Sequence, residues 1–534
     1  MATYVKHFQT KHTQQTEPVP GKPQVRNSAG GFVFEIDDWK RLDRFLILGC
    51  EGSTYYATEK KLTVENAKAV VRCVKADGKR TVARIVEVSD SGRAPKNDPA
   101  VFALALCASF GDAVTKEAVR TALPKVCRIG THLFGFVAAV DSLRGWGRWL
   151  RGTVAGWYTD MDAGDMAYQV SKYQNRNGWS HKDVMHLCHL RAEGSHAVVQ
   201  HWVEKGWPDV GVERHPDPAL KSIWAFERSK RAETEGEVVR LIRDHGLVRE
   251  HVMTKWLKSP AVWEALLDKM PPTAMIRSLG AMTAAGLVTP LSKAVGKVVT
   301  ELANTERLRK ARVHPLAVLM ALRTYQQGHG EKGKLTWSPV AQVADALDGA
   351  FYTAFGNVEP TNKRWLLALD VSGSMDCRAI AGMAGITPRV GSAAMSLVTA
   401  AVEPYHHIMG FSHTLVPVAI SPRQRLDDVI HTISRIPMGG TDCSLPMLWA
   451  KDNKIDVDTF VVFTDNETWA GHCHPFQVLK EYRQKTGIPA KMIVVGMTAT
   501  QFTIADPGDA GMLDLCGFDT AAPQLMSEFA MGNV

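Results

Sequence analysis

The segment WLLALDVSGSM, residues 365–375, decides the fold of the C-terminal part of this chain. Its apolar run has the length of a strand and ends at Asp370, after which Ser372 and Ser374 follow at alternate positions. Similar short apolar runs lie downstream: HHIMGF (406–411), TFVVFT (459–464) and KMIVVGM (491–497). Short apolar runs of this kind are typical of strands buried on both faces.

Helical segments separate these runs: AAMSLVTAAV (393–402), LDDVIHTISRI (426–436) and HPFQVLKEYRQK (474–485). Alternation of strand and helix predicts a parallel, doubly wound sheet with helices on both faces. In such sheets ligands bind at the carboxyl ends of the strands. We therefore predict an α/β domain over residues 361–534.

Upstream of residue 360 the pattern is helical. Segments such as WKRLDRFLILGC and EVVRLIRDHGLV place apolar residues three and four apart, and short breaks containing Gly, Pro or Asn separate them. This predicts a helical-repeat solenoid or bundle over residues 26–360. Residues 1–25 are polar and rich in proline, and we expect a flexible tail there.

The two parts differ in charge. Residues 361–534 carry 13 basic and 17 acidic side chains, whereas residues 1–360 carry 50 basic and 38 acidic ones, so the excess positive charge lies entirely in the helical part. This asymmetry favours a polyanionic partner for the helical module, although a generally basic surface would give the same count.

The composition indicates a cytoplasmic protein without a membrane partner. Hydrophobic residues make up 45% of the chain and charged residues 22%, which are ordinary globular values. No apolar run reaches the roughly 20 residues that a membrane-spanning helix needs. The nine cysteines are odd in number and never form a CxxC pair, which favours reduced thiols.

The strand ends of the α/β domain supply the oxygen atoms for a cation site. Asp370, Ser372 and Ser374 leave the first strand, Thr441 follows a Gly pair, and Asp465 follows the third apolar run. Hard cations prefer such oxygen ligands and usually keep some water, which predicts one Mg²⁺, with Mn²⁺ or Ca²⁺ as alternatives.

This pattern resembles the metal-ion-dependent adhesion site of von Willebrand factor A domains, with DxSxS followed by a distant Thr and a distant Asp. The resemblance implies that Ser372, Ser374 and Thr441 ligate the cation directly or nearly so. It implies that Asp370 and Asp465 act directly or through waters, and that the open coordination position takes an acidic group of a partner.

In the helical part, the segment 171–190 is the strongest candidate for contact with a phosphate-bearing partner. Basic residues flank an Asn177-Gly178 turn, and Ser180 with Asp183 forms a capping-box-like helix start. A helix start next to basic residues can bind phosphate, and aromatic residues can stack on bases. The candidate residues are Lys172, Arg176, Ser180, His181 and Lys182, with Arg128, His132 and Arg249 as further candidates. The alternative is an ordinary helix-turn-helix surface with Trp179 in the core.

Six segments spread over nearly the whole chain resemble the Ro autoantigen family. They are RFLILGCEGSTYYATEKKL (44–62), VCRIGTHLFGF (126–136), YQNRNGWSHKD (173–183), MPPTAMIRSLGAMT (270–283), RVHPLAVLMALRTYQQGHG (312–330) and FTIADPGDAGMLDLCGFD (502–519). The resemblance implies a TROVE module, which is a ring of HEAT-like helical repeats, closed against a von Willebrand factor A domain.

The same resemblance implies a function without catalysis. Small noncoding Y RNA would bind the outer basic surface, single-stranded ends of misfolded RNA would enter the hole of the ring, and an exoribonuclease is a candidate protein partner. Two other hypotheses stay open: a cation-dependent protein-interaction scaffold without an RNA function, and a metal-dependent hydrolase. The hydrolase is disfavoured because no general base is recognisable beside the proposed ligands.

Overall fold

The computed structural model describes residues 12–49, 67–176, 178–206, 220–330, 334–355, 358–376, 380, 386–421, 424–498 and 500–533. From residue 38 to residue 353 the described chain is almost entirely helical, as the sequence predicts. The helices are α1 (Asp38–Leu48), α2 (Lys68–Ser91), α3 (Asp98–Phe110), α4 (Ala113–Val126), α5 (Gly130–Leu143), α6 (Arg148–Thr159), α7 (Ala163–Lys172), α8 (His181–Cys188), α9 (Gly194–Lys205), α10 (Lys221–Arg231), α11 (Glu235–His245), α12 (Pro260–Leu267), α13 (Pro272–Ala284), α14 (Lys293–Ala303), α15 (Thr305–Lys310), α16 (Pro315–Gln326) and α17 (Ala341–Thr353).

Local signals explain where these helices begin and end. In α11 the Thr234 side chain accepts a hydrogen bond from the Glu237 N–H, acidic residues occupy the first turn, and Gly246 ends the helix in the left-handed conformation. Each feature satisfies or complements the free N–H and C=O groups at a helix end. Helices α12, α13 and α16 begin with proline at one of their first two positions, where its missing N–H has no cost.

The helical module closes on itself. The Arg312 guanidinium, just after α15, forms an ion pair with Asp90 near the end of α2. Two residues further on, the His314 Nε2 lies 3.1 Å from the Arg93 carbonyl oxygen. These contacts join segments more than 200 residues apart and confirm the predicted ring of helical repeats.

The C-terminal domain contains a mixed sheet. Its strands are β5 (Arg364–Asp370), β6 (Tyr405–Phe411), β7 (Leu415–Pro417), β8 (Thr459–Thr464), β9 (Lys491–Gly496) and β11 (Met512–Cys516). Among the described residues, these strands lie side by side in the order β11-β9-β8-β5-β6-β7. Helices α18 (Pro388–Val402), α19 (Leu426–Ser434), α20 (Leu445–Asp452), α21 (Pro475–Thr486) and α22 (Ala522–Met531) accompany it. Every residue of β8 is buried, as expected for a central strand covered on both faces.

The predicted parallel sheet carries one antiparallel strand at its edge. Strand β7 pairs with β6 in the antiparallel direction, whereas the other neighbours in this sheet are parallel. The chain turns back directly after Phe411, and a turn this short can join only antiparallel strands.

The prediction of a flexible tail over residues 1–25 is wrong for its described part. Strands β1 (Gln24–Arg26) and β2 (Phe32–Glu35) form a small sheet with β10 (Phe502–Thr503) of the C-terminal domain. Gln15 is fully buried there. The N-terminal residues therefore pack on the C-terminal domain, and polar composition concealed this because the contacts are hydrogen bonds. Residues 1–11 lie outside the described ranges.

Buried ion pairs join the two parts of the chain. Arg93 donates to both carboxylate oxygens of Asp519, at 2.9 and 2.8 Å from Nε. Arg44 on α1 donates to both oxygens of Asp514 on β11 at 2.7 Å. Bidentate pairs of this type fix orientation as well as distance.

Every cysteine within the described ranges is buried and lacks a disulfide partner. No helix in the described part of the chain combines the length and apolar character that crossing a membrane would require.

Candidate functional site

A short hairpin presents the basic segment of the helical module. Strands β3 (Asn175–Arg176) and β4 (Trp179–Ser180) pair in antiparallel register, with Arg176 opposite Trp179. Gly178 has a φ of 80°, which suits the two-residue hairpin turn that Asn-Gly sequences form. Asn177 itself lies outside the described residues. The hairpin leaves the Arg176 side chain exposed.

Helix α8 begins with the capping box that the sequence predicts. The Ser180 hydroxyl donates to Asp183 at 2.6 Å, and the Ser180 N–H donates to the same carboxylate at 2.9 Å. The Asp183 N–H lies 3.3 Å from the Ser180 hydroxyl oxygen. The capping box satisfies the Ser180 N–H and places a carboxylate at the start of α8, and a phosphate contact at Ser180 stays a prediction. The exposed Lys182 side chain remains a candidate.

His181 lies in the core beneath this surface. It is 2% exposed, and its Nδ1 lies 2.8 Å from the Tyr158 hydroxyl. Its ring centroid is 4.6 Å from that of Phe134. Burial lowers the pKa of His181 to about 3, so the ring is neutral. The structure therefore assigns His181 a packing role, and sequence reasoning missed this because the neighbouring residues are polar.

The end of α7 brings the separate candidate segments together. On one side the Gln169 side chain accepts a hydrogen bond from the Gly130 N–H at 3.0 Å. On the other side the Ser171 hydroxyl lies 3.2 Å from His251 Nε2, which belongs to the turn that begins at Arg249. Segments 128–132, 172–182 and 249–251 thus meet at one place. We call the basic side chains there the α7 surface: the half-buried Lys172 and the exposed Arg176, Lys182 and Arg249.

Within the α7 surface, Lys172 is half-buried and held by aromatic residues. Its Nζ lies 2.9 Å from the Tyr168 hydroxyl and 5.0 Å from the centroid of the Tyr173 ring. These contacts fix the position of the ammonium group while part of it stays accessible. Arg249 is exposed at the neighbouring turn.

Arg128 and His132 are held by neighbouring helices. The Arg128 guanidinium donates to the Ser89 hydroxyl at 3.0 Å and to the Lys125 carbonyl at 2.9 Å. Burial lowers the pKa of His132 to about 4, and the Arg128 charge acts in the same direction. His132 is therefore neutral, and the Nη1 group of the half-buried Arg128 is bonded within the protein.

Three further basic residues, which were not among the sequence candidates, lie beside the hairpin. The Trp146 and Trp179 ring centroids are 6.5 Å apart, which places the loop before α6 against β4. The residues Arg144, Arg148 and Arg151 flank this contact and are exposed. The signal was available in RGWGRWLR (144–151), where arginine alternates with tryptophan and no acidic residue occurs. Trp179 itself packs partly against the core, as the alternative interpretation expected.

The predicted cation ligands lie together at the carboxyl ends of β5 and β8. The Ser372 N–H donates to Asp370 at 2.9 Å, and the Ser372 and Ser374 hydroxyl oxygens are 3.0 Å apart. Asp465 follows β8, the strand that pairs with β5. The Thr441 carbonyl accepts hydrogen bonds from the Trp469 and Ala470 N–H groups at 2.9 and 3.0 Å, which ties its loop to the one after Asp465.

The electrostatics of this site suit a bound cation. Asp370 and Asp465 are both fully buried. Burial, together with the nearby carboxylates of Asp370 and Glu467, raises the pKa of Asp465 to about 8. Oδ1 of Asp465 accepts from the Glu467 N–H at 3.1 Å, whereas Oδ2 has no hydrogen-bond partner among the described residues. A divalent cation would satisfy this oxygen and remove the repulsion between the carboxylates.

The donor set is hydroxyl-rich. Among the residues that the structure describes, no three His, Cys, Asp or Glu side chains form a cluster that could hold a metal. A cation here would therefore depend on the Ser and Thr hydroxyls and on water in addition to two carboxylates. That composition fits Mg²⁺, which keeps several waters.

Comparison with known proteins agrees with both parts of the structure. A family model described as the TROVE domain matches residues 25–210 and 212–324, and one described as the Ro60 vWA domain matches residues 364–530. The chain belongs to the Ro60 family. This confirms the resemblance to Ro proteins and the von Willebrand factor A assignment of the C-terminal domain.

Members of the Ro60 family with curated names align over almost the full length. The RNA-binding protein RO60 of Deinococcus radiodurans is 43% identical over 524 residues, which cover 97% of each chain. The RNA-binding protein RO60 of Caenorhabditis elegans is 35% identical over 586 residues, covering 96% of this chain and 90% of the relative. The crystal structure of the Deinococcus radiodurans RO (RSR) protein superposes with a TM-score of 0.71 and 42% identity, covering 93% of this chain and all of that one.

Proposed function

We propose that this Ro60-family chain binds small noncoding RNA through the α7 surface. The observation that carries this proposal is the meeting of the basic segment 172–182 with Arg249, distant in sequence, around the end of α7. Exposed cations held at fixed positions attract the phosphate backbone irrespective of sequence. The names of the curated relatives, which are RNA-binding proteins, support the same conclusion.

At a finer level, we propose that the ligand is a Y-type RNA on the outer surface. Single-stranded ends of misfolded RNA would enter the hole of the ring, and the protein would act in the cytoplasm as a chaperone scaffold without catalysis. The closure of the helical module between Asp90 and Arg312 supports a ring that could enclose a strand.

Charge reversal tests the α7 surface. The variant K172E/R176E/K182E should lower the affinity for co-purified small RNA at least tenfold and flatten its salt dependence, because each lost phosphate contact lowers the slope of log K against log salt by about one. Fluorescence anisotropy at two salt concentrations measures both quantities.

A matched control variant distinguishes the effect of where the charges are reversed from the effect of the change in net charge. Lys363, Arg435 and Lys480 are exposed residues of the C-terminal domain. The variant K363E/R435E/K480E changes the net charge by the same amount and replaces the same residue types. Equal loss of affinity in both variants, or no loss in the first, would contradict the proposal.

We further propose that the C-terminal domain binds one divalent cation, Mg²⁺ in the first instance. Ser372, Ser374 and Thr441 would ligate it directly or nearly so, and Asp370 and Asp465 directly or through water. The partnerless, buried Asp465 oxygen supports this assignment. The bound cation would supply a positive coordination position for an acidic group of a protein partner, for which an exoribonuclease is a candidate.

A variant of the cation site also tests the alternative function, which is a protein-interaction scaffold without RNA. In that case D370A should abolish cation binding and partner capture, and no RNA should co-purify with the wild-type chain. Calorimetry with Mg²⁺ and sequencing of the co-purified nucleic acid give the two answers separately.

A further inference from the structure

Residues from the opposite end of the chain cover the loops that carry the proposed cation ligands. We call residues 12–31 the N-terminal strap. The Thr441 loop comprises residues 439–444, and the Asp465 loop comprises residues 465–473. The strap lies on both loops, although it precedes the helical module in sequence and none of it belongs to the 364–530 segment matched as the vWA domain.

Gln15 connects the two loops through a single side chain. Its amide nitrogen donates to the Asp442 carboxylate at 2.8 Å and to the Cys473 carbonyl at 2.9 Å. Its amide oxygen accepts a hydrogen bond from the Thr468 hydroxyl. The Gln15 N–H also donates to the Gly471 carbonyl at 3.0 Å. Because the side chain is fully buried, water cannot replace these bonds without a rearrangement.

Asn27 holds the first part of the Asp465 loop. Its amide nitrogen donates to the carbonyls of Thr468 at 2.8 Å and of Asn466, the residue after Asp465, at 3.3 Å. Close by, the Ala29 N–H donates to the Glu467 carboxylate at 2.9 Å. The backbone on which Asp465 is mounted is therefore fixed from outside its own domain.

The fit between strap and loop leaves no space at Gly31. A Cβ atom at this position would lie 1.9 Å from the Thr468 carbonyl oxygen. The strap thus approaches the Asp465 loop backbone to backbone, as expected of a built contact rather than a tail resting on a surface.

We propose that Gln15 and Asn27 are positioning residues for the cation site, so that the cation affinity of the C-terminal domain depends on the N-terminal strap. This inference rests on the proposed cation site. Groups that orient metal ligands without touching the metal typically contribute about 10–100-fold to its affinity. Here the residues bridge the loop that carries Thr441 and the loop that carries Asp465, and a ligand set drawn from two loops binds only if their separation is fixed.

The test compares full-length variants by their Kd for Mn²⁺, measured by electron paramagnetic resonance well below the melting temperature of each variant. We expect Q15A and N27A each to raise the Kd at least tenfold. Thr16 and Ser28 are exposed neighbours in the same strap, so T16A and S28A are matched controls whose Kd should equal that of the wild type. The variant Q15M, which keeps a similar volume and loses every amide hydrogen bond of the side chain, should behave like Q15A and serves if Q15A does not fold.

The outcomes separate the two proposals. If the wild-type chain takes up no Mn²⁺, the cation site itself is overturned. If the wild type binds Mn²⁺ and the Gln15 and Asn27 variants bind it with unchanged Kd, the role of the strap alone is overturned. A lower melting temperature with unchanged Kd also overturns it, because that is the result of a purely structural contact. RNA affinity, measured in parallel, should stay constant in all these variants.

Discussion

The α7 surface and the cation site use charged residues in opposite ways. The α7 surface presents cations to solvent from a hairpin, a helix end and a turn, whereas the cation site buries two carboxylates at the ends of adjacent strands. Exposed cations lose little hydration and can meet an extended polyanion, while buried like charges are costly until a counter-ion neutralises them. The first region is therefore suited to a large, variable ligand and the second to one small ion.

The same contrast appears between two neighbouring residues. His181 and Lys182 are adjacent in the sequence, yet His181 is buried against Tyr158 and Lys182 is exposed. The structure therefore leaves Lys182 accessible for the proposed RNA contact and places His181 in the core. Adjacent polar residues on a helix thus need the tertiary structure before either receives a role.

The largest expected effect is a loss of stability in acid that is concentrated in the helical module. Burial lowers the pKa of His181 to about 3, and those of His132, His251 and His314 to about 4. In the unfolded chain these groups titrate near pH 6.5. The contribution of these neutral histidines to the free energy of unfolding is complete above that pH. It is lost as the pH falls toward 4, because the unfolded chain then binds protons that the folded chain does not. The slope reaches about 1.4 kcal/mol per pH unit for each histidine.

Urea unfolding followed by circular dichroism between pH 7 and pH 4.5 measures this effect. In the variant H314Q the free energy of unfolding should depend less steeply on pH than in the wild type, by the equivalent of about one proton. Loss of the C-terminal domain before the helical module would contradict the assignment, since all four histidines precede residue 360.

Next in size is the substitution H181A. It removes the partner of the Tyr158 hydroxyl and leaves a cavity beside Phe134, so we expect a loss of about 2–4 kcal/mol in the free energy of unfolding. The exposed K182A should change stability by less than about 0.5 kcal/mol. For RNA affinity we expect the opposite, so that K182A weakens RNA binding more than H181A does. Weaker RNA binding by folded H181A than by K182A would break the distinction between the two residues.

Occupation of the cation site should change the free energy of unfolding by a comparable amount, but only when Mg²⁺ is present. Mg²⁺ at 100 times its Kd should raise the free energy of unfolding by about 2.7 kcal/mol in the wild type and hardly at all in D465N. Without metal, D465N should melt above the wild type, because it removes one of two neighbouring buried carboxylates. Thermal melts with Mg²⁺ and with chelator test both statements, and an equal response to Mg²⁺ in D465N would remove Asp465 from the ligand set.

The smallest expected effect concerns the arginines beside the hairpin. R148E/R151E should weaken RNA binding by about threefold to tenfold, since these residues extend the α7 surface at its edge and each mutation removes at most one phosphate contact. K363E/K480E, with the same charge change in the other domain, is the control in the anisotropy assay. No difference between the two variants would limit the RNA surface to the residues around α7.

The structure brings the predicted cation-site residues together more completely than the predicted RNA-contact residues, two of which it buries or holds within the protein. Asp370, Ser372, Ser374, Thr441 and Asp465 were found from their places after strands, and a parallel sheet necessarily gathers such positions at one edge. Lys172, Arg176 and Lys182 were found from composition, which does not tell an exposed side chain from a buried one. The same reasoning therefore included His181 and omitted Arg148.

The sequence by itself determined the division into a basic helical module and an α/β domain, because apolar periodicity and strand-ending carboxylates are local properties of the chain. Only the tertiary structure decided that His181 is buried, that segments 128–132, 172–182 and 249–251 meet, and that Gln15 and Asn27 bond to the loops of the proposed cation site. These contacts join residues up to 458 positions apart. Their energies depend on burial and on hydrogen bonds between distant groups, which no local pattern records.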